Sequence, residues 1–146
     1  MVRTNFKDWK PPEIEHGKLT RWNWLITHPQ NLSLGKYTDI GAFTYINARF
    51  GVEIQDFVQI GSHCSIYSES TIDEKQGKIV IARNARIGSH SLLMPAVSIG
   101  KNSVIGAFSF VNKNIPAGVV AFGVPVKVKR QLSDKEILDM EKETRL

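Results

Sequence analysis

The sequence predicts an all-β fold of stacked, three-sided coils, because aliphatic residues recur along it every six positions. A period of six matches neither the helical period nor the simple alternation of a strand. It fits a chain that forms one short strand, turns a corner and repeats. The repeat runs in three phases and occupies Leu34, Ile40, Ile46, Ile54, Ile60, Ile66, Ile81, Ile87, Leu93, Ile99, Ile105 and Val111.

Two further columns of residues support this interpretation. The residue after the aliphatic one is often Gly or Ala, which suits a tight corner. The residue four places after it is mostly small, as at Thr44, Cys64 and Ser91. Membership of this column predicts a packing role for Cys64 and not a nucleophilic one. Three sides make a triangular coil, and each coil buries against its neighbours a face that it could not bury alone.

The repeat divides the single domain, residues 1–146, into three parts. Residues 1–31 carry three tryptophans and are predicted to cap the open edge of the first coil. Residues 32–131 form the β-helix, interrupted by a polar loop at 73–80 that we expect to project from a corner. Residues 132–146 contain a short α-helix, because Ser133 and Glu136 have the spacing of a capping box.

Composition excludes several classes of protein. Charged residues make up 23% and hydrophobic residues 42%, as in soluble globular domains. No apolar run approaches the length of a membrane span, and the N-terminus lacks the apolar core of a secretory signal. The net charge is +5, but no long basic stripe suggests nucleic acid. The lone cysteine, Cys64, excludes an intrachain disulfide. We therefore expect a cytoplasmic protein with no membrane or nucleic-acid partner.

Residues 81–130 read IARNARIGSHSLLMPAVSIGKNSVIGAFSFVNKNIPAGVVAFGVPVKVKR. This segment resembles the C-terminal half of the galactoside and maltose O-acetyltransferases and related sugar acetyltransferases of surface-polysaccharide synthesis, which are hexapeptide-repeat enzymes. Phe108, Asn112 and Phe122 depart from the usual residues. The resemblance implies a left-handed parallel β-helix, a homotrimer, acetyl-CoA as acyl donor, and a sugar or nucleotide-sugar as acceptor.

The resemblance also implies which residues bind the cofactor. Ser89 and Ala107 would contact the pantetheine arm or thioester, and Lys127 and Arg130 would meet the phosphates. Lysine and arginine are suited to that second task. In chain order the set is Ser89, Ala107, Asn112, Lys113, Gly123, Pro125, Lys127 and Arg130.

The catalytic base is less clearly marked. The histidine that serves the sugar O-acetyltransferases falls, in an ungapped alignment, on Thr71. Transfer to a hydroxyl nevertheless calls for a general base. His63 and His90 both follow Ile-Gly-Ser and are predicted to face outward, and Glu69 lies beside the interruption. We therefore take His63, His90 and Glu69 as the candidate catalytic residues, with Asp73 as a further alternative.

Three functional alternatives remain open at this point. Because an amine needs a weaker base than a hydroxyl, the absent histidine leaves O- and N-acetylation of a sugar both possible. A non-catalytic β-helix that only binds a ligand is a second alternative. A γ-class carbonic anhydrase is the third, but its zinc site needs two histidines five residues apart. Pro95 follows His90 at that distance, so no metal site is expected.

Overall fold

In a computed structural model, which describes residues 8–145, the chain winds as a left-handed parallel β-helix. The predicted fold class is confirmed. The elements are β1 (Leu25–Thr27), β2 (Leu32–Leu34), β3 (Asp39–Ile40), β4 (Tyr45–Asn47), β5 (Val52–Ile54), β6 (Gln59–Ile60), β7 (Ser65–Tyr67), β8 (Glu69–Ser70), β9 (Lys75–Gln76), β10 (Ile79–Ile81), β11 (Arg86–Ile87), β12 (Leu92–Leu93), β13 (Ser98–Ile99), β14 (Val104–Ile105), β15 (Phe110–Val111), β16 (Val119–Phe122), β17 (Lys127–Gln131) and α1 (Asp134–Lys142).

The strands form three faces of a prism. The first face is β1-β4-β7-β12-β15, and the second is β2-β5-β10-β13. The third face is β3-β6-β11-β14-β16, to whose outer edge β17 adds in antiparallel orientation. All other pairings within the three faces are parallel, so each strand lies directly above its counterpart in the coil before.

The predicted aliphatic positions form the core. Ile46 lies in register between Ile26 and Ile66, and Ile60 lies in register between Ile40 and Ile87. Every predicted position from Ile40 to Val111 is buried, whereas Leu34, in the first coil, is half-buried. Burial of these stacked aliphatic ladders is the main stabilising term of such a fold.

The β-helix begins earlier than the sequence predicts. Strand β1, within the segment assigned to the cap, pairs with β4 and supplies the buried Ile26. A short 3-10 turn, Pro29–Asn31, then stands between β1 and β2. The step from Ile26 to Leu34 spans eight residues, as the step from Ile46 to Ile54 does, so a count of six does not carry the repeat back to Ile26.

The interruption begins and ends earlier in the chain than the predicted loop at 73–80. It is a hairpin of β8 and β9, and the chain returns to the second face at Ile79, which is fully buried in β10. Residues 79 and 80 are therefore strand and not loop. Strands β5 and β10 each bury their first and third side chains, and this extra inward residue accounts for the slip in the repeat's phase. Ile72 falls on the six-residue period but is 97% exposed on the hairpin.

The C-terminal helix caps one corner of the prism. It begins with the predicted capping box, in which Ser133 Oγ accepts from Glu136 N and Glu136 Oε2 accepts from Ser133 N. Its buried Met140 lies over the corner between the second and third faces. There Asn84 Nδ2 donates to Asn102 Oδ1 at 2.8 Å and to the carbonyl of Met140 at 3.2 Å. The helix thus continues an asparagine ladder that joins two coils.

Candidate active site

Four aromatic rings form a column on the corner between the third and first faces. Phe43, His63, His90 and Phe108 each end one of the steps IGAF, IGSH, IGSH and IGAF. Successive ring centroids are 5.3, 4.7 and 4.8 Å apart, and the His63–His90 and His90–Phe108 planes lie within 6° and 4° of parallel. All four side chains are exposed. We call this set the ring column.

Backbone geometry explains why the rings line up. All four residues have a left-handed conformation, with φ between 55° and 63°, which places their side chains at equivalent points on successive coils. The preceding glycines let the coils approach. A Cβ on Gly61 would lie 2.6 Å from the nitrogen of Ser89, and one on Gly88 would lie 2.4 Å from the nitrogen of Ala107. Such contacts are too short for any side chain, so the corner requires glycine there.

Ser89 and Ala107 stand where the resemblance calls for thioester contacts. They directly precede His90 and Phe108, and Phe108 N donates to the carbonyl of Ser89 at 3.0 Å. Ser89 also lines a shallow groove of about 280 Å³ along the third face, together with Gln59 and Arg86. The structure therefore brings Ser89, Ala107 and the two central histidines together at one corner.

The segment after β16 turns back beside the end of the ring column. Phe122 packs over Gly106, and Gly123 N donates to Ser109 Oγ at 3.2 Å. Val126 N donates to the carbonyl of Phe110 at 2.9 Å, so the intervening Pro125 lies near the top of the first face. Gly123 and Pro125, both taken from the resemblance, thus lie beside the coil that carries Ala107.

The predicted phosphate-binding cations are not equivalent. Arg130 forms a salt bridge of 2.9 Å with Glu136 and holds the pKa of that carboxyl below its usual range. Lys127 pairs in register with Phe122 and has no salt bridge to any described residue. Lys129 Nζ lies 4.8 Å from the Phe122 ring centroid. Lys127 and Lys129 therefore surround Phe122, while Arg130 is engaged by the helix.

The remaining cofactor candidates lie elsewhere. Asn112 and Lys113 are exposed and follow β15, at the opposite edge of the first face from the ring column. Within one chain they do not adjoin Ser89. Their place further along the cofactor remains a prediction.

Glu69 does not adjoin the histidines within one chain. It opens the hairpin on the corner between the first and second faces, where Arg49 Nη1 donates to its two oxygens at 3.2 and 3.4 Å. Thr71, the position of the histidine missing from this sequence, is exposed on the same hairpin. The candidate bases His63 and His90 therefore lie on one corner of the prism, and the candidate base Glu69 lies on another.

Comparison with known proteins agrees with the six-residue repeat. A family model described as bacterial transferase hexapeptide (six repeats) matches residues 78–113. The chain contains a segment that matches this hexapeptide-repeat family. It is 36% identical over 129 residues to the galactoside O-acetyltransferase of Escherichia coli K12, an alignment that covers 78% of this chain and 64% of the relative. It is also 36% identical over 117 residues to the galactoside O-acetyltransferase of Lactococcus lactis, covering 70% of this chain and 56% of that one.

Structural likeness extends over most of the chain. A solved galactoside acetyltransferase in complex with coenzyme A superposes with a TM-score of 0.69 and 29% identity, over 85% of this chain and 66% of that one. The chain thus spans less than two thirds of the length of each of these relatives.

Neither a metal-binding cluster nor a membrane-spanning helix is found within residues 8–145. Between residues 8 and 145, no three side chains of His, Cys, Asp or Glu converge as a metal site would require. In the same part of the chain, no helix has the length and apolar character needed to cross a bilayer.

Sequence reasoning missed several members of the site. Phe43 and Phe108 were not recognised as partners of the histidines, and Lys129 was not assigned a role. The signal is present in the sequence, since the steps IGAF, IGSH, IGSH and IGAF each place an aromatic ring three residues after the isoleucine. Reading that column requires knowing which steps share a corner, and this depends on the hairpin's length.

Proposed function

We propose that this protein is an acetyl-CoA-dependent acetyltransferase that acts on a hydroxyl or amino group of a sugar or nucleotide-sugar. The observation that carries the proposal is the grouping of His63 and His90 with Ser89 and Ala107 on one exposed corner. Acetyl transfer requires a general base that accepts the acceptor's proton and, beside it, a surface that binds the thioester. The relatives named galactoside O-acetyltransferase, and the one solved with coenzyme A, support this proposal.

The acyl donor would lie along the corner from Ser89 towards β17. Ser89 and Ala107 would face the thioester, and Gly123 and Pro125 would shape the far end. Lys127 would meet phosphate oxygens, with Lys129 as an addition to the predicted set, because neither lysine forms a salt bridge with a described residue. Arg130 could join them only by leaving Glu136.

The proposed chemistry is a single transfer. A neutral imidazole of the ring column takes the proton of the acceptor hydroxyl as its oxygen bonds to the thioester carbonyl carbon. The carbon–sulfur bond then breaks, and the departing thiolate receives the proton that the imidazolium holds. The products are the acetylated sugar and the free thiol of coenzyme A. With an amine acceptor, the same imidazole takes the proton after attack.

We assign the role of base to His90. It directly follows Ser89 and stacks on Phe108, which directly follows Ala107, so it is flanked by both proposed thioester contacts. His63 is one coil further away, on the side of the N-terminal segment.

The proposed assembly is a homotrimer with the site at the edge of each interface. Five of the eight outward side chains on the strands of the first face are large and apolar or aromatic, which suits burial against another copy. They are half-buried in the single chain and comprise Leu25, Tyr45, Tyr67, Leu92 and Phe110. The ring column borders this face on one edge, and Glu69 with its hairpin borders the other. A second copy is therefore needed for Glu69 to approach a histidine.

In cells, we propose a cytoplasmic enzyme of surface-polysaccharide synthesis. Both acetyl-CoA and activated sugars are cytoplasmic metabolites in that setting. This part of the proposal follows from the resemblance over residues 81–130.

A turnover screen tests the proposal directly. Purified protein is mixed with acetyl-CoA and a panel of glycosides, free sugars and nucleotide-linked amino sugars, and release of the coenzyme A thiol is followed by its absorbance after reaction with a disulfide reagent. Acceptor-dependent thiol release supports the proposal, and product mass separates O- from N-acetylation. Cofactor binding without transfer to any acceptor would favour the binding scaffold. Tightly bound zinc with carbon dioxide hydration would favour the anhydrase.

A further inference from the structure

A pocket in the N-terminal segment has no role in the proposed reaction. It encloses about 450 Å³, and its lining includes Lys10, Glu13, Lys18, Leu19 and Trp22. Trp22 is 49% exposed and Leu19 is 58% exposed. Large apolar side chains on the wall of a concave, otherwise polar surface are typical of a ligand site.

The backbone of Trp22 is held in a defined turn although its ring is exposed. It sits on a turn between Thr20 and Trp24, whose backbone groups bond to each other at 2.8 Å. The hydroxyl of Thr20, a buried residue, accepts from Trp22 N and Trp24 N at 3.3 Å each. Arg21 places its guanidinium carbon 5.6 Å from the Trp22 ring centroid. A preformed aromatic surface loses little entropy when a ligand stacks on it.

The pocket adjoins the ring column. Phe43 N donates to the carbonyl of Asn23 at 2.7 Å, and Asn23 has the same left-handed conformation as the four ring residues, with φ of 63°. The turn that carries Trp22 therefore occupies the same corner as the ring column, one coil before Phe43. Adjacent strands are separated by about 4.8 Å, so His63 lies about 10 Å and His90 about 14 Å along the column from this turn. A ligand that joins Trp22 to His90 must be longer than one sugar ring.

The charges of the pocket favour a neutral, hydroxyl-rich ligand. Glu13 and Glu15 would repel a pyrophosphate, and Glu15 already pairs with Lys18 at 2.6 Å. Hydroxyl groups donate to carboxylates and accept from lysine and arginine, so they suit a lining of mixed sign. The C–H face of a sugar ring is apolar and complements the negative face of an indole.

We propose that this pocket binds a neutral sugar unit of the acceptor, distal to the unit that is acetylated, with Trp22 as the stacking surface. The inference rests on the proposed function for the identity of the acceptor, and it adds a substrate class: an oligosaccharide or extended glycoside is preferred to a single sugar. The distal unit contributes binding, while the unit beside His90 reacts.

A binding measurement tests the pocket without relying on turnover. Protein labelled with 5-fluorotryptophan gives a fluorine resonance for Trp22, assigned by its loss in Trp22→Phe. Maltotriose, lactose, chitotriose and uridine diphosphate are titrated separately. A saturable shift of the Trp22 resonance with at least one of the three saccharides, and none with the nucleotide, is expected. A Trp22 shift with uridine diphosphate alone, or with no probe, overturns the proposal. So does a Trp22 shift that depends only on protein concentration, since this would mean that a second copy covers the ring.

A kinetic comparison then tests the consequence for the reaction. Trp22→Ala is expected to lower kcat/KM for an oligosaccharide acceptor by about tenfold, the scale of one lost apolar contact, and to leave acetyl-CoA binding unchanged. Phe50→Ala is the matched control, because Phe50 is also exposed with an arginine guanidinium 5.5 Å from its ring centroid, but lies on another corner. Equal effects of the two substitutions overturn the proposal. If acetyl-CoA does not bind at all, the proposed function fails, while the fluorine titration still decides the pocket.

Discussion

The imidazole of His63 lies flat on that of His90, with ring centroids 4.7 Å apart and planes within 6° of parallel. The two histidines are neighbours because both occupy the same left-handed corner position in adjacent coils. Phe43 and Phe108 close the stack at its two ends. Each imidazole face is covered by another ring, so its edge nitrogens are the parts open to a substrate.

The two histidines are expected to differ in their effect on turnover. His90→Ala should lower kcat about 10²- to 10⁴-fold, because it removes the proposed base. His63→Ala removes only a stacking neighbour and should cost far less. The measurement is steady-state release of the coenzyme A thiol, with circular dichroism to show that both variants are folded. Full activity in His90→Ala would mean that another group is the base, and Glu69→Gln would then be the next variant.

Cys64 is expected to be unreactive in the folded protein. Its side chain is buried, and burial raises the pKa of the thiol above its usual range, so little thiolate is present at neutral pH. Labelling by a soluble disulfide reagent should be slow at pH 7, faster at pH 9, and immediate after unfolding in guanidinium. Cys64→Ser should retain turnover. Rapid labelling of native protein at pH 7, or loss of activity in a folded Cys64→Ser, would contradict the packing role.

The sequence predicts the fold well because each aliphatic position is fixed by its own coil. A side chain such as Ile60 needs only the register with Ile40 and Ile87 to be buried, and the six-residue period encodes that register directly. The departures occur where the step length changes. The six-residue period restarts only at Ile81 and therefore predicts that Ile79 and Val80 belong to the loop. In the structure both residues belong to β10, which buries Ile79 and Ile81.

The site is less predictable for a related reason. Membership of the ring column depends on which steps share a corner, and the hairpin from Glu69 to Gln76 adds residues that hide this alignment. The pairing of Arg130 with Glu136 depends on where the helix packs, and no local pattern around Arg130 states it. Strand β17 likewise forms only because β16 offers an outer edge to pair with.

Trimer formation is expected to depend on the outer surface of the first face. Leu92→Lys places a charge among the half-buried aromatic and aliphatic side chains of that face, and burying an unpaired charge is costly. The variant should be monomeric in analytical ultracentrifugation, whereas the wild type should be a trimer. Val80→Lys is the control, because Val80 points outward from the second face. A monomeric wild type, or two variants with identical assembly, would exclude this interface.

Docking of the C-terminal helix is expected to weaken in acid. The hydrogen bond from Asn102, followed by those from Arg83 and Lys101, holds the pKa of Glu141 below its ordinary 4.5. A carboxyl whose folded pKa is lowered contributes stability that is complete above its unfolded pKa and is lost as pH falls through the folded value. The melting temperature should therefore fall below about pH 4.5 more steeply in the wild type than in Glu141→Gln. Asp139→Asn, whose contact with Lys142 is 3.9 Å, should behave like the wild type.

The coil spacing at the ring column is expected to be more sensitive to an added side chain at Gly88 than at Gly106. A Cβ there would lie 2.4 Å from the backbone nitrogen of Ala107, which cannot move without shifting the next coil. Overpacking of this kind costs about 1–3 kcal/mol, so Gly88→Ala should lower the free energy of unfolding by that amount in urea denaturation. At Gly106 the added Cβ would instead meet Phe122 Cβ at 2.8 Å. Because this contact is longer, Gly106→Ala should cost less than Gly88→Ala. Phe122→Gly removes that Cβ and should relieve the contact, whereas Phe122→Ala keeps it and should not. Equal losses at Gly88 and Gly106 would show that the coils are no more tightly spaced at Gly88 than at Gly106, and the fixed alignment of His63, His90 and Phe108 would then lose its physical basis.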